Sequence, residues 1–85
     1  MPRLIVCAVM DRAVQTFNRP FFVPAMGAAT RSFMDEVNRA AADNPMYAHP
    51  DDFELWRLAT YDEETGLFED QAPQLVTRAK DVRQA

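Results

Sequence analysis

Residues 49–70 read HPDDFELWRLATYDEETGLFED, and this stretch decides the fold. Pro50 disfavours the α region for His49, so the entry is extended. From Phe53 to Tyr61 aromatic and branched residues dominate, as in a strand. Asp62, Glu63, Glu64, Thr65 and Gly66 then supply turn chemistry: an acid able to accept from nearby backbone N–H groups, and a glycine for a position with φ > 0. Leu67 and Phe68 begin a return strand. An isolated hairpin is marginal in water, so the rest of the chain must cover it. Strand alternation points Phe53, Leu55, Arg57, Ala59 and Tyr61 one way and Glu54, Trp56, Leu58 and Thr60 the other. Neither face is purely polar. One is expected to meet a helix and the other a partner.

Upstream, residues 4–10 form a near-continuous apolar run whose branched residues favour a strand buried on both faces. Residues 13–17 are open between a helical turn and a loop. Arg19-Pro20-Phe21-Phe22-Val23-Pro24 is extended, because its prolines cannot donate to a ladder, which makes it an edge strand or an ordered loop. Phe17, Phe21 and Phe22 are too apolar to be all exposed; each belongs to core, interface or a stacking surface. Residues 25–42 predict the one long helix. Pro24 precedes its first turn, and Met26, Ala29, Phe33, Val37, Ala40 and Ala41 recur at the spacing of one apolar face. Asp43-Asn44-Pro45 stops it. Gln71-Ala72-Pro73 is a break, and residues 74–77 can add a short strand. The expected fold is α+β: a mostly antiparallel β-sheet of three to five short strands, with one amphipathic helix packed on one face. Residues 1–77 form one domain, and residues 78–85 form a basic, frayed tail.

The 85 residues are 48% apolar and 26% charged, a globular balance. A core this small supplies only about 3–5 kcal/mol, so a homodimer is expected. Nothing reads as a secretion signal, and the longest apolar run is far short of the roughly 20 residues that span a bilayer. The single cysteine, Cys7, lies within that run and reads as a small buried hydrophobe in a reducing compartment. Net charge is −4 and uneven: +3 over residues 1–34, −9 over residues 35–70 and +2 over residues 71–85. A chain polarised in this way can present a basic face despite an acidic total.

Catalytic patterns are missing. His49 and Cys7 are each alone of their kind, so no metal-ligand spacing exists and no metal or cofactor is expected. Ser32 has no histidine near it in sequence, the adjacent acid pairs do not suggest two carboxylates across a cleft, and two glycines cannot build a phosphate loop. These features argue against an enzyme.

Three blocks carry a family resemblance. Arg19-Pro20-Phe21-Phe22-Val23-Pro24 with Gly27-Ala28-Ala29-Thr30-Arg31-Ser32-Phe33 is similar to a QPFF-x-P and A-x-R-x-F pattern, with Arg19 standing where glutamine is usual. Asp35-Glu36-Val37-Asn38 follows. His49-Pro50-Asp51-Asp52-Phe53 and Asp62-Glu63-Glu64-Thr65-Gly66 match an HPEDF and D-x-x-TG pair at the right distance. In these the chain resembles the small non-structural protein of microviruses, the icosahedral single-stranded DNA phages, in particular the gokushovirus-like group. The resemblance implies a non-enzymatic DNA-binding protein of the host cytoplasm. It implies a role in the switch from duplex replication to single-strand synthesis or packaging. It assigns no binding residues.

Physics supplies those. Single-strand binding combines cations along phosphates with aromatic faces for bases. The candidate cations are Arg12, Arg19, Arg31, Arg57, Arg78, Lys80 and Arg83; the candidate stackers are Phe17, Phe22 and Trp56. The alternative is an interaction module whose acidic residues 35–70 dock on a phage or host replication protein. Cations converging on one face favour DNA; cations that scatter or pair with acids favour the interaction module. No membrane partner is expected.

Overall fold

A computed structural model describes residues 3–69 and 71–84. Two long antiparallel strands form its centre, β1 (Arg3–Asp11) and β4 (Phe53–Asp62), paired along their whole length. Two short strands, β2 (Thr16–Phe17) and β3 (Phe21–Val23), lie end to end along the outer side of β1. Along the outer side of β4 lie β5 (Leu67–Glu69) and β6 (Gln74–Arg78). All pairings are antiparallel. The α+β class matches expectation. Among the described residues the sheet has six strands rather than three to five, and there are three α-helices rather than one.

The strand missed by the sequence reading, β2, is made by a tight turn. Asp11 Oδ1 accepts from the Ala13 N–H at 3.0 Å, and Gln15 takes the left-handed region at φ 57°. The chain can then return along β1, and Asn18 N–H reaches Val9 O at 2.8 Å. At the other hairpin Gly66 sits at φ 75°, as its turn requires. Its N–H meets Asp62 O at 2.8 Å, while Asp62 Oδ1 accepts from Glu64 N–H at 2.9 Å.

Helix α1 (Met26–Val37) buries Ala29, Phe33 and Val37 on one stripe. It ends five residues before the expected boundary, so Ala40 and Ala41 lie outside it. Asn38 explains this: its backbone N–H and its side-chain amide both reach Met34 O, at 3.1 and 2.9 Å. A short amide side chain competing for backbone acceptors favours a helix end. Asn44, only 1% exposed, then donates to Glu36 O and Arg39 O at 2.8 and 2.9 Å and accepts from Met46 N–H at 3.1 Å. It thereby joins α1 to α2 (Pro45–Ala48).

The core comprises Cys7, Val23, Ala29, Phe33, Val37, Phe53, Leu55 and Ala79. Burial of each large member stabilises the fold by about 1.5–3 kcal/mol. The described residues of the expected tail, 78–84, pack onto the domain. Helix α3 (Ala79–Val82) places fully buried Ala79 in that core, with Val82 packed against it. Asn38 holds its end by donating to Val82 O at 2.9 Å and accepting from Gln84 N–H at 2.6 Å. A segment with the composition of a tail thus contributes Ala79 to the core, its helix held by an asparagine 44 positions before Val82.

The alternation expected along β4 breaks once. Val6 pairs with Ala59 and Cys7 with Arg57, so Leu58 is an extra residue. A bulge of this kind moves every later side chain to the opposite face. Ala59 and Tyr61 therefore join Trp56 on the outer face, and Thr60 joins Leu55 and Arg57 on the inner one.

Candidate nucleic-acid interface

The inner face is covered by Ala29, Phe33 and Val37 of α1, Met46 of α2 and Ala79 and Val82 of α3. Among the described residues no helix remains for the outer face. Val6 and Ala8 on that face are buried, at 5% and 0% exposure, yet lie outside the core cluster. Larger neighbours in the sheet shield them. Val6 lies in register between Phe22 and Ala59, and Ala8 beside Trp56.

Those neighbours are aromatic. Phe17 packs edge-on against Trp56, with ring centroids 5.9 Å apart and planes at 90°. Toward the 62–66 turn, Phe22, Tyr61 and Phe68 form a second cluster, with centroid separations of 5.5, 4.8 and 6.3 Å. Phe17, Phe22 and Phe68 are 39%, 46% and 55% exposed. The three sequence-predicted stackers thus share one solvent-facing surface, and the bulge at Leu58 adds Tyr61, which strict alternation had placed on the opposite side.

At the Trp56 end the surface dips into a cavity of about 360 Å³. Met10, Trp56 and Leu75 give it apolar walls; Arg12, Gln15, Glu54 and Arg78 give it polar ones. Glu54 is 5% exposed, and both of its carboxylate oxygens accept hydrogen bonds. Its Oε1 accepts from Trp56 Nε1 at 3.1 Å, and its Oε2 accepts from Arg12 Nη1 at 3.3 Å and Arg78 Nε at 3.2 Å. Burial alone pushes this carboxyl up. The hydrogen bonds from Trp56, Arg78 and Arg12, with the charge of Arg12, outweigh burial and hold it below the usual glutamate range. Two guanidiniums around one carboxylate leave this end of the face with a net positive charge. The opposite end meets the acidic turn of Asp62, Glu63 and Glu64.

Of the predicted cations only Arg12 and Arg78 join this cavity. Arg19 is exposed in the loop between β2 and β3. Arg31 and Lys80 are exposed on α1 and α3, in the helical layer. Arg57 is on the inner face, with its Nη2 3.4 Å from Thr60 Oγ1 and its buried Nε without a partner. Arg83 lies 3.8 Å over the Tyr47 ring and donates from Nε to Tyr47 O at 3.3 Å. Charge counting could not separate these, because the fold sends neighbours in sequence to opposite layers. Glu54 was unmarked among many acids, although its spacing of two from Trp56 sets both on one side of a strand.

The combination defines an open-faced α+β protein: one sheet face carries the helices, and the other offers aromatic rings and a positively charged cavity. The chain belongs to the Phage ORF5 protein family, whose family model matches residues 4–82. It is therefore a member of a bacteriophage protein family. Searches of the curated proteins and of the solved structures each found no match.

Proposed function

We propose that the protein binds single-stranded DNA across its outer sheet face, as a non-structural protein of a small single-stranded DNA phage. It would act where replication turns from duplex to single strands. The single observation that carries this reading is the exposed aromatic surface running from Phe17 and Trp56 to Phe22, Tyr61 and Phe68, with two arginines at one end. Stacking on such rings is worth about 1–3 kcal/mol per base and tolerates any sequence. Arg12 supplies the phosphate contact beside it, and exposed Arg19 extends the path. The resemblance to the microvirus non-structural proteins supports the same reading.

Titration of labelled oligonucleotides at several salt concentrations tests it. Binding through Z phosphates should give a log–log slope near about −0.7Z. Pure protein that binds no strand at low salt overturns the reading.

A second reading has two observations in its favour. The cations scatter, and Arg3, Arg12, Arg39 and Arg78 are paired with acids. The Phe22, Tyr61 and Phe68 cluster also adjoins an acidic turn. That end suits a basic surface on a phage or host replication protein, or a second copy in a homodimer. Association that survives without DNA, measured by sedimentation, would support this alternative.

A further inference from the structure

The cavity at the Trp56 end is more specific than a stacking surface needs to be. We infer that it is a base-reading pocket that prefers guanine to thymine in a single strand, with Glu54 and Arg78 as the reading pair; this rests on the single-strand reading above.

The volume of about 360 Å³ lies within the range of small-molecule sites. Met10, Leu75 and the Trp56 ring suit the flat faces of a base. The polar inventory then restricts which base. Glu54 is an ionised acceptor with about four lone-pair sites. Trp56, Arg12 and Arg78 occupy three of them, which leaves one, on Oε1. Arg78 spends only its Nε on Glu54, so its remaining N–H groups are available as a fork. The pocket thus offers one strong acceptor directly beside a rigid multiple donor.

Guanine is a complementary base. Its N1–H and N2–H₂ donors adjoin O6, and O6 with N7 forms the acceptor pair that arginine reads bidentately. The N2–H₂ end of that edge donates to the one remaining Oε1 site of Glu54, while O6 and N7 face Arg78. Thymine is the poorest fit. Its single N3–H lies between two carbonyl oxygens, which would face the carboxylate. Arg12, the more exposed of the two guanidiniums at 60% against 45%, remains for a phosphate. Base reading and backbone binding are thus divided between the two arginines that share Glu54.

The test uses labelled strands of roughly a dozen thymidines, within the usual span of a single-strand site, carrying a central guanosine, inosine or thymidine. The guanosine strand should bind at least about fivefold more tightly than the all-thymidine strand. Inosine, which lacks N2–H₂, should fall between them. Arg78→Lys keeps the charge but loses the fork, so it should abolish the preference with the salt slope unchanged; Glu54→Gln should abolish it too. Arg12→Ala should weaken all strands equally and flatten the slope. Far-UV dichroism confirms that each variant is folded, and Arg78→Lys, at an exposed side chain, keeps the test decisive if Glu54→Gln unfolds. Equal binding of the guanosine and thymidine strands overturns the base assignment and leaves single-strand binding standing. A preference that survives in folded Arg78→Lys also overturns it. Failure of every strand to bind overturns both readings.

Discussion

Trp56 Nε1 donates to Glu54 Oε1 at 3.1 Å, from two residues along the same strand. The bond fixes the plane of the indole and satisfies one side of a buried carboxylate, so the aromatic and charged parts of the outer face form one unit. Removing either partner disturbs the other.

For binding, Trp56→Ala should weaken single-strand affinity by about 5- to 150-fold, the equivalent of one lost stack of about 1–3 kcal/mol. Phe17→Ala should cost less, because Phe17 meets Trp56 edge-on and supports it. Fluorescence anisotropy at fixed salt measures both. Wild-type affinity in Trp56→Ala would remove this ring from the interface.

Gly66→Ala should destabilise the fold by about 1 kcal/mol. Its φ of 75° is left-handed, and a Cβ there would meet nothing within 4 Å. The cost is therefore conformational, not a clash. In a domain of this size that corresponds to a fall in Tm of about 4–8 °C, read by thermal denaturation.

Asn44→Ala removes two donated hydrogen bonds and one accepted bond from a residue 1% exposed. It leaves Glu36 O and Arg39 O without that partner. A loss of about 1–3 kcal/mol is expected, larger than at Gly66, and measurable as a lower urea midpoint with unchanged slope. Asn44→Asp should lose stability as well, since a carboxylate cannot donate to the two carbonyls.

Asn38→Ala should release the last residues while the sheet persists. Its side chain bridges Met34 O, Val82 O and Gln84 N–H. Amide exchange at residues 80–84 should accelerate far more than at β1 or β4. Uniform acceleration would show that α3 unfolds only with the whole domain.

Acid should weaken the fold partly through Glu54. A carboxyl held below its unfolded value stabilises the folded state at pH above that value, and the contribution is lost as pH falls through the lower, folded value. Stability should therefore decline from about pH 5 downward. Glu36, also held low by its hydrogen bond to Arg39, is exposed and adds little. Glu54→Gln should start less stable at neutral pH and show a shallower decline. Identical acid limbs in the two proteins would mean that Glu54 is not responsible.

Local chemistry made much of the architecture legible. The apolar run of residues 4–10 is a central strand. Gly66 takes the turn conformation its neighbours demanded, and the spacing of Ala29, Phe33 and Val37 gave the helix its buried stripe. Pairing between distant residues was not legible. No propensity marks Leu58 as a bulge, Asn38 as a cap for residues far downstream, or Ala79 as core.

Sequence alone determined which residues are apolar, where the backbone must turn and how many rings the chain carries, because these depend on side chains and their nearest neighbours. Tertiary structure decided which rings face water and which cations share a cavity. A one-residue bulge reverses every subsequent side chain in its strand, and Arg12, Glu54 and Arg78 meet only when β1, β4 and β6 are in register.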